Sequence, residues 1–250
     1  FLTIFGIYKI TKEFFNKNIA KITFVICFFN PIFFGHMSMN GIDTIIAFAN
    51  IWCFYEILRY LKKQQNKKKR KNHVIYFGLL LGLGLGVRYS FIVTLLPIFL
   101  FILFEIFYLK IFIDKKFSKA MFLRDSIKVL LIAYFFMVLF WPQTHENIFF
   151  IPFKLVLESF LFGFGTPLVL FNGTIFQTND LPSTYLLANL FYKMPEFIIF
   201  SFVLFFFFIK KISIHFKKEI KGFNFKVFLI LVFILFPNIF ILISPYSPYD

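Results

Sequence analysis

The sequence predicts an all-α fold, a polytopic transmembrane helical bundle of about seven spans with a long, partly helical outer loop. Three observations carry that expectation. The chain is 60% apolar, against about 45–50% for an average soluble domain, and its mean hydropathy is +0.81. Apolar stretches recur at close to the length that crosses a bilayer, roughly 17–25 residues. Of the 27 Lys and Arg residues, all but Arg88, Lys154 and Lys193 fall in four clusters, at 9–21, 59–71, 110–128 and 210–226, which alternate with those stretches. Cytoplasmic loops collect Lys and Arg, so the four clusters share one face and the polar residues between them collect on the other.

Taken in order, residues 1–8 read as the tail of a membrane helix, and the spans follow at 19–35, 42–61, 74–88, 90–109, 127–141, 195–209 and 226–244. The first leads outward from the basic cluster 9–21 and the second returns to 59–71. The stretch 74–109 has basic flanks, so it goes out and comes back, turning at Gly84–Ser90. The next three cross out, in and out. The outer face then holds the 36–42 turn, the Arg88 turn, the 142–194 loop and a Pro-rich turn at 244–250. The 142–194 loop far exceeds the usual connection of about 4–6 residues. It is aromatic and apolar, which argues against disorder. Residues 148–164 within it fit a helix lying in the interface, with Lys154 and Glu158 paired at i, i+4. The chain begins at Phe1 and stops at Asp250. It is expected to be the central part of one membrane domain, 1–250, cut at both ends.

The net charge of +15 raises the possibility of a nucleic-acid partner. The positive charge is divided among loops instead of covering one domain surface, so no nucleic acid is expected. The run Lys67–Lys71 reads as a topology signal and a contact for anionic headgroups. Cys27 and Cys53 lie in apolar segments and read as small core residues. No metal signature is present.

Candidate functional residues come from the outer face. His36, Asn40 and Asp43 stand at i, i+4 and i+7, one face of a helix. A charge such as Asp43 at the start of a span needs a partner or a wet cavity. The alternative role for Asn40 or Asp43 is to cap the helix that follows. Arg88 runs against the positive-inside trend. A guanidinium there suits a clamp on phosphate or pyrophosphate, with Tyr89 beside it; the alternative is a headgroup contact or an interhelical ion pair. Gly82, Gly84 and Gly86 before it read as a stripe for close helix packing. His145 and Glu146, directly after the 127–141 span, are acid/base or metal-ligand candidates, though their spacing matches no metal signature, or plain solvated loop residues. Asn172-Gly173-Thr174 fits a glycosylation sequon, which is not expected to be used.

Asn30-Pro31-Ile32-Phe33-Phe34-Gly35-His36, followed by Asn40 and Asp43, resembles the C-superfamily polyprenyl-phosphate-sugar glycosyltransferases. The branch is that of the dolichyl-phosphate-mannose protein mannosyltransferases and the lipid A aminoarabinose transferases. Gly82–Arg88 looks like their Gly-rich hairpin and Arg. Phe171-Asn172-Gly173 and Leu181–Tyr185, with Pro195 opening the next span, look like their later outer loop. The likeness runs from about residue 20 to 250. It departs at Ile42, where the family carries Lys, and at Ser183-Thr184, where members often carry Trp-His. The resemblance implies a multi-pass membrane enzyme, of a bacterial inner-membrane type. It implies sugar transfer from a polyprenyl-phosphate-linked donor to a glycan, lipid or protein acceptor on the non-cytoplasmic face. It implies catalytic roles for Asp43 and His36, and substrate contacts for Arg88, Asn40, Tyr89, His145, Glu146 and Tyr185. The family's main catalytic acid lies in a first outer loop, which is expected to precede Phe1. No cofactor is required by the motifs, and a divalent cation remains open. The rival readings are a secondary transporter or lipid flippase, and a non-catalytic membrane subunit.

Overall fold

A computed structural model describes residues 1–31, 35, 40–88, 90–161, 168–177, 180–182 and 184–243. It is mostly helical, and the chain divides into two compact units, one of Phe1–Phe29 with Phe33–Ser159 and one of Asn30–Ile32 with Phe160–Asp250.

The first unit opens with a helical hairpin, α1 (Leu2–Phe14) and α2 (Lys17–Phe28), in which Phe24 meets the rings of Phe1 and Tyr8, each at 6.2 Å. Next come α3 (Gly41–Lys63), α4 (Lys67–Val87), the short α5 (Phe91–Thr94), α6 (Leu96–Phe104) with a π-helical turn at Glu105–Leu109, α7 (Lys119–Phe140), a 3-10 turn at Pro142–Glu146, and α8 (Ile151–Leu161). Polar residues set the starts. Asn16, Asn40, Asn66 and Ser118 each accept a hydrogen bond from a backbone N–H three residues on, at 2.9, 3.2, 3.0 and 3.3 Å respectively. Each satisfies a donor that the first helical turn leaves free. The expected 90–109 span breaks at Leu95, just before Pro97, which has no N–H to continue the ladder.

Helix α4 lies against both α3 and α7. The glycine stripe makes the second contact possible. A Cβ built at Gly82 meets the Ala133 carbonyl oxygen at 2.6 Å, and one at Gly78 meets Ile132 at 2.8 Å. No side chain larger than hydrogen fits there without moving α7. At the other side of the unit Phe14, Phe54, Phe101 and Phe112 form a ring cluster, with centroids 4.9 Å apart for Phe14–Phe112 and 5.3 Å for Phe54–Phe101.

Three of the four basic clusters meet at one end of this unit. Glu13 takes Arg59 at 2.6 Å and Lys62 at 2.5 Å. Buried Asp125 accepts from Tyr60 Oη at 3.0 Å and pairs with Arg70 at 3.3 Å. Gln64, with no exposed surface, donates to the Ser118 carbonyl at 2.9 Å and accepts from the Ser118 N–H at 2.7 Å. Burial alone would raise the Glu13 carboxyl; Lys62 and Arg59 more than offset that and hold it below the ordinary range. Helix α3 runs from this end to Asp43. At 1.5 Å per residue, Arg59 and Asp43 lie about 24 Å apart along it, so the cations and Asp43 occupy opposite ends.

The second unit contains an antiparallel hairpin, β1 (Leu168–Phe171) and β2 (Thr174–Gln177), in the register Leu168↔Gln177 to Phe171↔Thr174. Asn172 and Gly173 turn it with φ of 50° and 81°. Both values are left-handed, as a two-residue hairpin loop requires and as Asn-Gly tolerates. Then come α9 (Tyr185–Lys193), α10 (Glu196–Lys217) and α11 (Phe223–Ile243). An open apolar groove of about 370 Å³ runs between α9 and α10, lined by Leu187, Phe191, Ile199, Phe202 and Phe206 among others.

Among the described residues three helices are long and apolar enough to cross a membrane, Gly41–Lys63, Phe91–Leu109 and Glu196–Lys217, fewer than the seven spans expected, and Phe223–Phe236 is apolar but shorter. The 142–194 segment is not a bare loop. It carries the 3-10 turn, α8, the β hairpin and α9, and α8 holds the Lys154–Glu158 pair at 3.7 Å. The β hairpin is an addition to the all-helical expectation. Cys27 and Cys53 are free thiols, Cys53 fully buried. The Pro-rich 244–250 turn lies outside the described residues.

Candidate functional site

The start of α3 and the end of α4 come together through two side chains. Asn40 caps α3 reciprocally: its Oδ1 accepts the Asp43 N–H at 3.2 Å, and its Nδ2 donates to Asp43 Oδ2 at 2.7 Å. That fixes the Asp43 carboxylate and leaves Oδ1 facing Arg88, whose Nη1 lies 3.5 Å away. Both side chains stay open, Arg88 at 56% and Asp43 at 46% exposure. The capping and pairing roles considered for these residues therefore coexist. An exposed ion pair of this kind contributes only about 0–1 kcal/mol to stability, so a carboxylate and a guanidinium remain available to a ligand at little structural cost.

The placement of Arg88 follows from local backbone chemistry. Its N–H closes the last turn of α4 on the Gly84 carbonyl at 3.0 Å, and its own carbonyl accepts the Phe91 N–H at 3.0 Å. Phe91 is fully buried. Its ring occupies the space a side chain at Gly84 would fill, since a Cβ there would lie 2.3 Å from the ring. The reversal between α4 and α5 is thus a packed corner.

The 3-10 turn at Pro142–Glu146 adjoins the same end of the unit. The Trp141 indole lies 3.6 Å from a Cβ built at Gly86, two residues before Arg88. Thr144, fully buried, donates its hydroxyl to the Trp141 carbonyl at 2.6 Å. His145 Nε2 bonds the Val138 carbonyl at 2.9 Å, so this ring closes the end of α7. Glu146 is exposed. Helix α8 folds back on α7: Leu155 packs on Met137 and Val138, and Tyr134 Oη donates to the Ile148 carbonyl.

Of the residues singled out from sequence, Asp43, Asn40 and Arg88 are brought together. His145 and Glu146 lie on the adjoining turn, with His145 engaged by the helix end. Tyr185 belongs to the second unit, where it is buried at 5.2 Å from the Phe171 ring. His36 and Tyr89 lie outside the described residues. Among the described residues, no group of three or more His, Cys, Asp or Glu is arranged to hold a metal ion.

Patterning does not single out Asn50, yet it binds the same corner. Its Nδ2 donates to the Thr94 carbonyl at 2.9 Å and to Thr94 Oγ1 at 3.1 Å. The available signal was its place seven residues after Asp43, two turns along one helix face.

The family profile described as dolichyl-phosphate-mannose-protein mannosyltransferase matches residues 1–143. The match takes in Asn40, Asp43, the glycine stripe and Arg88, and ends before the segments at 171–173 and 181–185. No curated protein and no solved structure matches the chain. The apolar helices and this match make the protein an integral membrane protein, and the chain belongs to the dolichyl-phosphate-mannose-protein mannosyltransferase family of membrane glycosyltransferases.

Proposed function

We propose that the chain acts in moving a sugar from a polyprenyl-phosphate donor to a glycan, lipid or protein acceptor. The reaction takes place at the non-cytoplasmic mouth of a bundle of about seven spans. The observation that carries this reading is the Asp43–Arg88 pair at 3.5 Å, at the end of the first unit opposite its clustered cations. Cytoplasmic loops carry such clusters, which supports the outward placement of the pair.

Sugar transfer breaks the bond between the anomeric carbon and the donor phosphate oxygen, and forms one from that carbon to the acceptor oxygen. Negative charge grows on the departing polyprenyl phosphate, and the acceptor hydroxyl loses a proton. Arg88 meets that charge with a fork of N–H donors. Asp43, held by Asn40, orients the acceptor hydroxyl and assists in taking its proton, with His36, seven residues before it, as a second candidate. Tyr89, His145 and Glu146 stand as further substrate contacts.

The test compares the full-length protein with its Asp43→Asn, Arg88→Ala and Arg88→Lys variants in transfer from a polyprenyl-phosphate sugar. Removing a donor aimed at developing charge costs on the order of 10²–10³ in turnover. Arg88→Lys is expected to fall between parent and Ala, because Lys keeps the charge and loses the fork. Parental turnover in both Asp43→Asn and Arg88→Ala rules the assignment out.

A further inference from the structure

We infer that Asn50 is a positioning residue: it holds the broken α5–α6 segment in the register that presents Arg88 to Asp43. The inference rests on the reading of the Asp43–Arg88 pair given above.

Helix α3 and the α4–α5 corner are joined by two polar rungs. One is Asp43–Arg88 at 3.5 Å. The other is Asn50 to Thr94, whose two bonds of 2.9 and 3.1 Å engage both the carbonyl and the hydroxyl of one residue. The rungs start seven residues apart on α3, about 10.5 Å along its axis. Thr94 stands directly before the break at Leu95, where α5 stops and α6 starts. Free backbone carbonyls at membrane depth are costly and must find a donor within the protein. Asn50 supplies two amide hydrogens for this purpose, and an aliphatic residue there supplies none.

The second rung connects to the Arg88 backbone through hydrogen bonds joined by the main chain of Phe91. Asn50 Nδ2 donates to Thr94 Oγ1, and Thr94 Oγ1 donates to the Phe91 carbonyl at 2.7 Å. The Phe91 N–H donates to the Arg88 carbonyl at 3.0 Å. The buried Phe91 ring against Gly84 keeps that series from shifting sideways. Asn50 thus sets the position of Arg88 without being placed to touch a substrate itself.

The experiment uses the full-length protein in lipid nanodiscs and has two readouts. The first is cross-linking by a short bis-methanethiosulfonate between Cys introduced as Asp43→Cys and Arg88→Cys, with Cys27 and Cys53 changed to Ser. The second is kcat and KM for sugar transfer in the otherwise native chain. Asn50→Leu is expected to cut the cross-linking rate and to lower kcat roughly three- to fifteenfold, the range of interhelical hydrogen bonds in membranes, with KM for the donor little changed. Thr94→Val is expected to do less, because the carbonyl rung survives, and it serves in place of Asn50→Leu if that variant does not fold. Cross-linking at the parental rate in these variants overturns the inference. So does a loss confined to protein yield with kcat intact. Slower cross-linking in the variants, with a parent protein that shows no sugar transfer, upholds the positioning role and defeats the proposed function instead.

Discussion

Replacing Gly84 by Ala tests whether the packed corner under Arg88 governs the site. A Cβ at position 84 would lie 2.3, 2.4 and 2.7 Å from three atoms of the Phe91 ring. Carbon atoms settle at about 3.5–4.0 Å, so the ring has to retreat by roughly 1.2 Å or more. It cannot swing into open space, because Phe91 is fully buried. Overpacking of this kind costs about 1–3 kcal/mol. The backbone at Phe91 is tied to the Arg88 carbonyl at 3.0 Å, so the displacement passes to Arg88. A misplacement of about 1 Å at a reacting centre costs on the order of 10²-fold in rate. Thermal unfolding of the purified full-length protein gives the first quantity, and kcat for sugar transfer gives the second. Gly84→Ala is expected to lower both. Adding Phe91→Leu, a smaller and more adaptable side chain, is expected to recover part of each. Gly41→Ala is the control, since nothing lies within 4 Å of a Cβ there. A Gly84→Ala protein with parental unfolding midpoint and parental kcat refutes the reasoning.

Other expectations follow from the two units. Glu13 sits below its ordinary value of 4.5 because Lys62 and Arg59 outweigh the effect of burial. Its contribution to stability is therefore fully present above the unfolded value and is lost as pH falls through the lower folded value. Unfolding midpoints should hold from about pH 7 to about pH 5 and decline below, and Glu13→Gln should flatten that acid limb. Gln64→Leu strips both Ser118 backbone groups of partners; at about 1–3 kcal/mol for each buried group left unpaired, a clear drop in the unfolding midpoint is expected. Gly173→Ala strains a residue at φ 81°, so limited proteolysis should cut the 168–177 hairpin faster. Gly82→Ala has a backbone oxygen at 2.6 Å to displace, and it should lower the unfolding midpoint without a single-site suppressor on α7.

Hydropathy located the helices but not their ends. The 42–61 span became Gly41–Lys63, close to expectation, because Asn40 marks its start in sequence. The 74–88 and 127–141 spans became Lys67–Val87 and Lys119–Phe140. An apolar window cannot see that Lys-rich turns continue a helix, although Asn66 and Ser118 were legible as caps. The break at Leu95 was signalled by Pro97. The hairpin at 168–177 was signalled by Asn172-Gly173 between apolar runs, a turn signature. In the site, Asp43, Asn40 and Arg88 stood out because a charge at the outer end of a span demands a partner. That Asp43 and Arg88 share one end of the bundle was legible from the charge pattern; their direct pairing at 3.5 Å was not. Neither were Asn50–Thr94, Tyr60–Asp125 or Gln64–Ser118, since each joins residues 44 or more positions apart. Such pairings depend on helix packing, which periodicity does not encode.

The most direct test of the account is the single-turnover rate of sugar transfer from a polyprenyl-phosphate donor by the full-length protein, parent against Arg88→Ala, at saturating donor. The account expects the bond-breaking step to slow on the order of 10²–10³-fold. An unchanged rate would contradict it.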